Sequence, residues 1–206
     1  MDSRRAEAFS DGVFAVAITV LVFGLLGIGA RVLTAGVLLH NWPHYVAYVV
    51  SFLTIGIMWM NHHTIMAHVS RVDRPLLVLN LLLLMGVVAI PFPTQLVAEH
   101  LRGNGGTAAT VTYGLVMIAI SAGFAAMWVY VVTHAPALGA AVPQGALRQS
   151  IPGFTLGGAA YVAATLIALW SPVAALIIFG LLAVYYLFEH LPSPAEEPAA
   201  GKPPVG

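Results

Sequence analysis

The 206-residue chain has no cysteine, so it has neither disulfides nor thiol chemistry, and nothing in it marks a redox compartment. Charge is scarce: Asp, Glu, Lys and Arg make up 8% of the residues, where a soluble domain carries about 25%. Formal net charge is zero, and no basic face suggests a nucleic-acid partner. No internal repeat is evident. What replaces the charge is hydrocarbon: 60% of the residues are hydrophobic and the mean hydropathy is +0.92. These values describe an integral membrane protein.

A helical span needs about 20 mostly apolar residues. Six segments qualify, at about 7–29, 44–66, 75–97, 107–133, 151–170 and 172–191. The predicted fold class is therefore all-α, with six transmembrane helices. The last two segments meet at "WSP", where Pro172 suits the first turn of a new helix. Turn and breaker signals ("NWP", "RVDRP", "RGNGG") separate the earlier ones. Residues 1–191 read as one transmembrane domain. The remaining stretch, 192–206, is rich in Pro, Gly and Ala without an apolar period, and disorder is expected there. The first apolar stretch is too long for a cleavable leader, and "GIGARVL" is a poor cleavage site, so it reads as a retained helix.

Basic residues orient the spans. With the N-terminus inside, Arg4, Arg5, Arg71, Arg74, Arg148 and Lys202 fall inside, and Arg31 and Arg102 fall outside. That bias follows the positive-inside rule and places both termini in the cytoplasm. A five-span arrangement would move only Lys202, so the count does not decide the last hairpin.

Ionisable groups at membrane depth are functional candidates by default, because exposing them to lipid costs at least a few kcal/mol. Helix one carries Arg5, Glu7 and Asp11 at its inner end, helix two carries "WMNHH" from Trp59 to His63, and helix three carries Asn80. At about 100° per residue, Arg5 and Asp11 stand about 120° apart and do not pair within their helix. Arg5 is expected to find a partner on another helix or subunit. Trp59, His62 and His63 share a face, with Asn61 on the opposite side. Arg5, Asp11, His62 or His63, and Asn80 are expected at one depth, in a hydrogen-bonded network.

Further along helix one, Val16, Val20 and Phe23 form an apolar stripe with Thr19 on its edge, and Phe9 and Gly12 extend it inward. Asp11 lies about 140° from Val16, off the stripe. Alone, such a stripe reads as ordinary helix packing. A metal site at His62 and His63 is disfavoured because adjacent ring side chains diverge and no acidic residue completes a set. A hydrogen-bonding role suits them better, and a pH-sensing one is compatible with histidine chemistry.

Three patches, in order, resemble the transmembrane protein 175 family of potassium channels. They are Arg5-Ala6-Glu7-Ala8-Phe9-Ser10-Asp11 followed by "GVFAVAIT", then "WMNHH", then "LNLLLLMGVVAIPFPTQL". The match covers about residues 4 to 98; the last three spans match in hydropathy only. The resemblance implies a homotetramer of six-span subunits, with the first helix of each lining the pore. It implies no carbonyl filter, and no "TVGYG"-like loop is present. It also implies a constriction at Val16, Val20 and Phe23 with Thr19 contributing. Packing roles follow for the signature residues Arg5, Phe9, Ser10 and Asp11 and for Trp59, Asn61, His62, His63 and Asn80.

The chain departs from the family pattern in having the shorter Val at positions 16 and 20. It also reads "VFGLLGIGA" where relatives carry an acidic-basic helix end, so the outer mouth lacks a charge that gathers cations. The expected function is a potassium-permeable leak channel of the bacterial inner membrane. The permeant ion and the bilayer are its partners, and no cofactor is expected. A proton-conducting pore using His62 or His63 is the alternative. A secondary transporter is disfavoured because no charged residue sits mid-span, and an enzyme because no nucleophile or metal constellation is present.

Overall fold

A computed structural model describes residues 2–26, 28, 34–140 and 146–188; within 146–155 and at residue 188 it describes the backbone only. All regular elements among the described residues are helical. In chain order they are α1 (Ser3–Val20), continued by a 3₁₀ turn (Leu21–Leu25), then α2 (Ala35–His40), α3 (Trp42–Ala67), α4 (Arg74–Ala89) and α5 (Pro91–His100). There follow α6 (Gly106–Thr133), α7 (Ala135–Leu138), α8 (Ala146–Ile167) and α9 (Pro172–Phe188). Four helical stretches are long and apolar enough to cross a membrane: Ser3–Leu25, Trp42–Ala67, Arg74–His100 and Gly106–Thr133. The described parts of α8 and α9 hold shorter apolar runs, Leu156–Ile167 and Pro172–Leu187.

The boundaries differ from expectation where a terminus has a local cause. The first helix begins at Ser3, not residue 7, because the Asp2 carboxylate accepts from the Arg4 amide at 3.1 Å and caps it. It tightens into a 3₁₀ turn at Leu21, so the uniform α-helical spacing assumed from sequence stops there. In a 3₁₀ segment residues three apart eclipse, which keeps Phe23 on the side of Val20. The third span is not one straight helix. Pro91 and Pro93 have no amide hydrogens to donate, and α4 gives way to α5 at Ile90. The fifth expected span corresponds to α8, which starts at Ala146, ahead of the expected residue 151, and ends at Ile167. The stretch 192–206 and Arg31 lie outside the described residues.

The core is apolar side chains filled in by close helix contacts. Phe14, Ile55, Ile65, Leu76, Leu83, Met117, Ile120 and Phe179 are almost fully buried. Gly114 of α6 lies against Thr165 of α8 so closely that a Cβ would overlap the threonine. A buried hydroxyl group of three joins α3, α5 and α6: Ser51 Oγ lies 2.8 Å from Thr94 Oγ1 and 3.2 Å from Tyr113 OH.

At the end that holds the N-terminus, the chain crossings are knitted together. Asp2 and Arg71 form an isolated antiparallel bridge. The Arg71 amide donates to Leu138 O at 3.0 Å, and Ser70 Oγ donates to Gly139 O at 3.0 Å. Gly139 ends α7 at φ 57°, a left-handed conformation that favours glycine. Asp73 caps α4 by accepting from the Leu76 amide at 3.0 Å and also accepts from Tyr130 OH at 2.7 Å.

Candidate functional site: the first helix and the network behind it

Helix α1 has two contrasting faces. Ala6, Ser10, Phe14, Ala17 and Leu21 are buried at helical spacing against the rest of the subunit. The opposite face carries Phe9, Val16 and Phe23, exposed at 57%, 57% and 63%, together with exposed Gly12 and Thr19. A Cβ built on Gly12 meets nothing within 4 Å. Thr19 Oγ1 donates to Val16 O at 2.9 Å, which leaves its oxygen lone pairs on the open face. Val20 is only half-buried: it sits at the margin of the uncovered face, whereas the sequence pattern had centred it beside Val16. An apolar stripe on one helix is ambiguous in sequence; here the other stripe of the same helix is the one that packs.

Behind the open face, α1 meets α3 and α4 through polar side chains. His62 is fully buried, and its Nε2 lies 2.8 Å from Asn80 Oδ1. Asn80 Nδ2 donates to Ser10 Oγ at 3.0 Å, and Ser10 Oγ donates to Ala6 O at 2.9 Å. Since the Asn80 oxygen only accepts, the His62 proton on this bond belongs to Nε2, given the amide as assigned. The His62 ring lies 5.4 Å from that of Phe14. Three helices are thus joined by a buried chain of donors and acceptors running one way.

A second pair of contacts lies nearer the surface. Trp59 Nε1 donates to Asp11 Oδ1 at 2.8 Å, and His63 Nδ1 lies 2.6 Å from Glu7 Oε1. Glu7 and Asp11 are one turn apart on α1, as are Trp59 and His63 on α3. The antiparallel helices therefore match turn for turn, and the Trp59 and His63 rings stack at 6.4 Å. Trp59, His62 and His63 do not act as one face: the middle residue turns inward to Asn80, and the outer two take the carboxylates. Glu7, an ionisable group at membrane depth by sequence, is a member that the expected network does not include. Its sequence signal was available, one turn before Asp11 on the same face.

Asn61 is half-buried and joins none of these contacts among the described residues. Arg5 does not enter the network either. It is exposed, and among the described residues no hydrogen bond or ion pair joins its side chain. At 100° per residue it stands on the open face with Phe9, Gly12 and Val16. Among the described residues no three His, Asp or Glu side chains group as a metal set.

The fold and site define a multi-pass helical membrane protein. Its first helix is anchored by a buried polar chain on one side and uncovered on the other. The comparisons with known proteins carry the identification further. The family described as endosomal/lysosomal potassium channel TMEM175 matches residues 5–91. A potassium channel of Streptomyces collinus is 44% identical over 204 residues, covering 97% of this chain and 98% of that one. A potassium channel of Chamaesiphon minutus is 36% identical over 90% of this chain and 93% of its own. The crystal structure of a lysosomal potassium-selective channel TMEM175 homolog from Chamaesiphon minutus superposes with a TM-score of 0.77 at 34% identity, covering 90% of this chain and 96% of that chain. The chain belongs to the TMEM175 family.

Proposed function

We propose that the protein is a potassium-permeable leak channel of the bacterial inner membrane. It works as a homotetramer of six-span subunits with both termini in the cytoplasm, and the open face of α1 lines the ion path. The observation that carries this reading is the divided first helix. A face bearing Phe9, Gly12, Val16, Thr19 and Phe23 stays uncovered, in a chain whose near full-length relatives are named potassium channels. One six-span subunit of this size encloses no conduit, so conduction requires the helices of several subunits to face one axis.

In this arrangement Val16, Val20 and Phe23 form apolar rings that narrow the path and gate it by dewetting. The Thr19 hydroxyl offers an oxygen beside the ring to an ion that has lost part of its water. With no carboxylate in the path, the field that separates potassium from sodium is weak and selectivity is modest. Ser10, Asp11, Trp59, His62, His63 and Asn80 hold the helix from behind rather than touch the ion; Arg5 and Phe9, at the inner end of the uncovered face, and Asn61 pack against neighbouring subunits.

The test is potassium flux into proteoliposomes for wild type, Val16→Asn and Phe23→Asn. Faster or less selective flux in the variants supports the assignment. Wild-type flux that neither variant alters removes α1 from the path.

A second reading, proton conduction, has its own observation. The bovine endosomal/lysosomal proton channel TMEM175 is 32% identical over 46% of this chain and 22% of its own length, and the His63–Glu7 contact is a histidine–carboxylate pair between α3 and α1. A pH-sensitive dye inside the same vesicles separates the two: acidification that persists without potassium, and is lost in His63→Phe, favours the proton.

A further inference from the structure

The 3₁₀ turn Leu21–Leu25 packs against α3 and α5 and carries Phe23, exposed at the outer end of the uncovered face. The turn contains Gly24, and its backbone does not call for glycine: among the described residues only Gly139 has a positive φ. Glycine is the poorest helix former after proline, so its presence here needs another cause. The cause is a side chain of α5. A Cβ built on Gly24 would overlap Gln95 Oε1. Gln95 Nε2 donates to Glu99 Oε1, one turn further along α5. An ionised carboxylate only accepts, so the amide nitrogen faces Glu99 and the amide oxygen bears on Gly24. Beside this contact is a cavity of about 250 Å³, open on one side, whose lining includes Val20, Phe23, Gly24, Tyr48 and Gln95. A cavity of about 150 Å³ takes a benzene ring, so this one has room for the Phe23 side chain.

We propose that Gln95 is a positioning residue for the constriction: pressed on Gly24 and braced by Glu99, it holds the 3₁₀ turn so that Phe23 stays in line with Val20. A 3₁₀ turn advances about 120° per residue and an α-helix about 100°. Three residues after Val20, Phe23 is therefore eclipsed with it in the turn, and would stand about 60° away if the turn relaxed to α-helix. Without the Gln95 contact the turn relaxes, Phe23 withdraws towards the cavity and the path widens. The widening rests on the channel reading, whereas the bracing of the turn does not.

The bracing is tested with a nitroxide on Leu26→Cys, at the exposed end of the turn, in a full chain that has no other cysteine. Gln95→Ala and Gly24→Ala should each raise the mobility of the label. Gly24→Ala is a mild change, because its methyl group meets only the far end of a flexible side chain. The double variant should be no more mobile than the looser single one, since both changes remove one contact. If Gln95→Ala does not fold, Gln95→Met, which keeps the length without the amide, takes its place. The same variants without the label are then compared for potassium and sodium flux in proteoliposomes, with the unfolding temperature read alongside. Each single variant should pass potassium faster and lower the potassium-to-sodium ratio by about three-fold, a change of about 0.65 kcal/mol between the two ion barriers. Unchanged mobility in both single variants, or additive effects in the double one, overturns the bracing. Raised mobility or a lower unfolding temperature with an unchanged flux ratio reduces Gln95 to a packing residue and overturns its role at the constriction. Absence of potassium flux in wild type and every variant, with the mobility rising as expected, counts against the channel reading and not against the bracing.

Discussion

At the scale of single residues, the buried chain His62–Asn80–Ser10 decides how α1 sits. Each member satisfies the next, so removing one strands a partner in an apolar surrounding. His62→Ala or Asn80→Ala should each lower stability by about 1–3 kcal/mol, read from unfolding in detergent. The double variant should cost less than the sum, because the two changes break one shared bond. Additive losses would show that the residues act separately.

Asp73 supplies the pH-dependent counterpart. Partial burial pushes its carboxyl up, but hydrogen bonds from Tyr130 OH and the Leu76 amide more than reverse this, leaving it below the ordinary 3.8. A depressed folded value means that the stabilisation is present above the unfolded value and is lost as pH falls through the folded one. Asp73→Asn should therefore lower the unfolding temperature at neutral pH and flatten its decline below about pH 4.

At the scale of elements, the first three spans were readable because their motifs sit on whole turns. Glu7 with Asp11 and Trp59 with His63 are each four residues apart, and the structure pairs them turn for turn. The direction of His62 was not readable. Helical spacing groups residues on a face, but which neighbour a face meets depends on where α4 brings Asn80. The break at Ile90 had its signal in "PFP", yet a run of apolar residues on both sides fits one long span equally well by composition.

The α6–α8 contact shows the same limit. Gly114 reads as a weak point in a helix until Thr165 is found against it. Gly114→Ala should destabilise by about 1–3 kcal/mol through overpacking, and Thr165→Ala in the same chain should recover part of the loss. Full tolerance of Gly114→Ala would mean the helices separate at little cost.

At the scale of the whole molecule, four stretches are long and apolar enough to span, and two shorter apolar helices follow. The six-span, four-subunit arrangement predicts a native mass in detergent close to four times 21.7 kDa. It also predicts that a cysteine introduced at residue 2 and one introduced in the tail are both labelled from the cytoplasmic side only. The native chain has no cysteine, so the labelling background is clean. A monomeric mass, or labels on opposite faces, would dismantle the arrangement.

Composition alone determined that the chain lives in a bilayer: with so little charge and so much apolar surface, water is not a solvent it can fold against. Local spacing determined which residues share a turn, because the helix has one period. Which stripe of α1 packs and which stays open was decided only by tertiary structure. Val16 and Phe14 are both apolar in sequence, and it is the position of α3 and α4 that buries one and leaves the other uncovered.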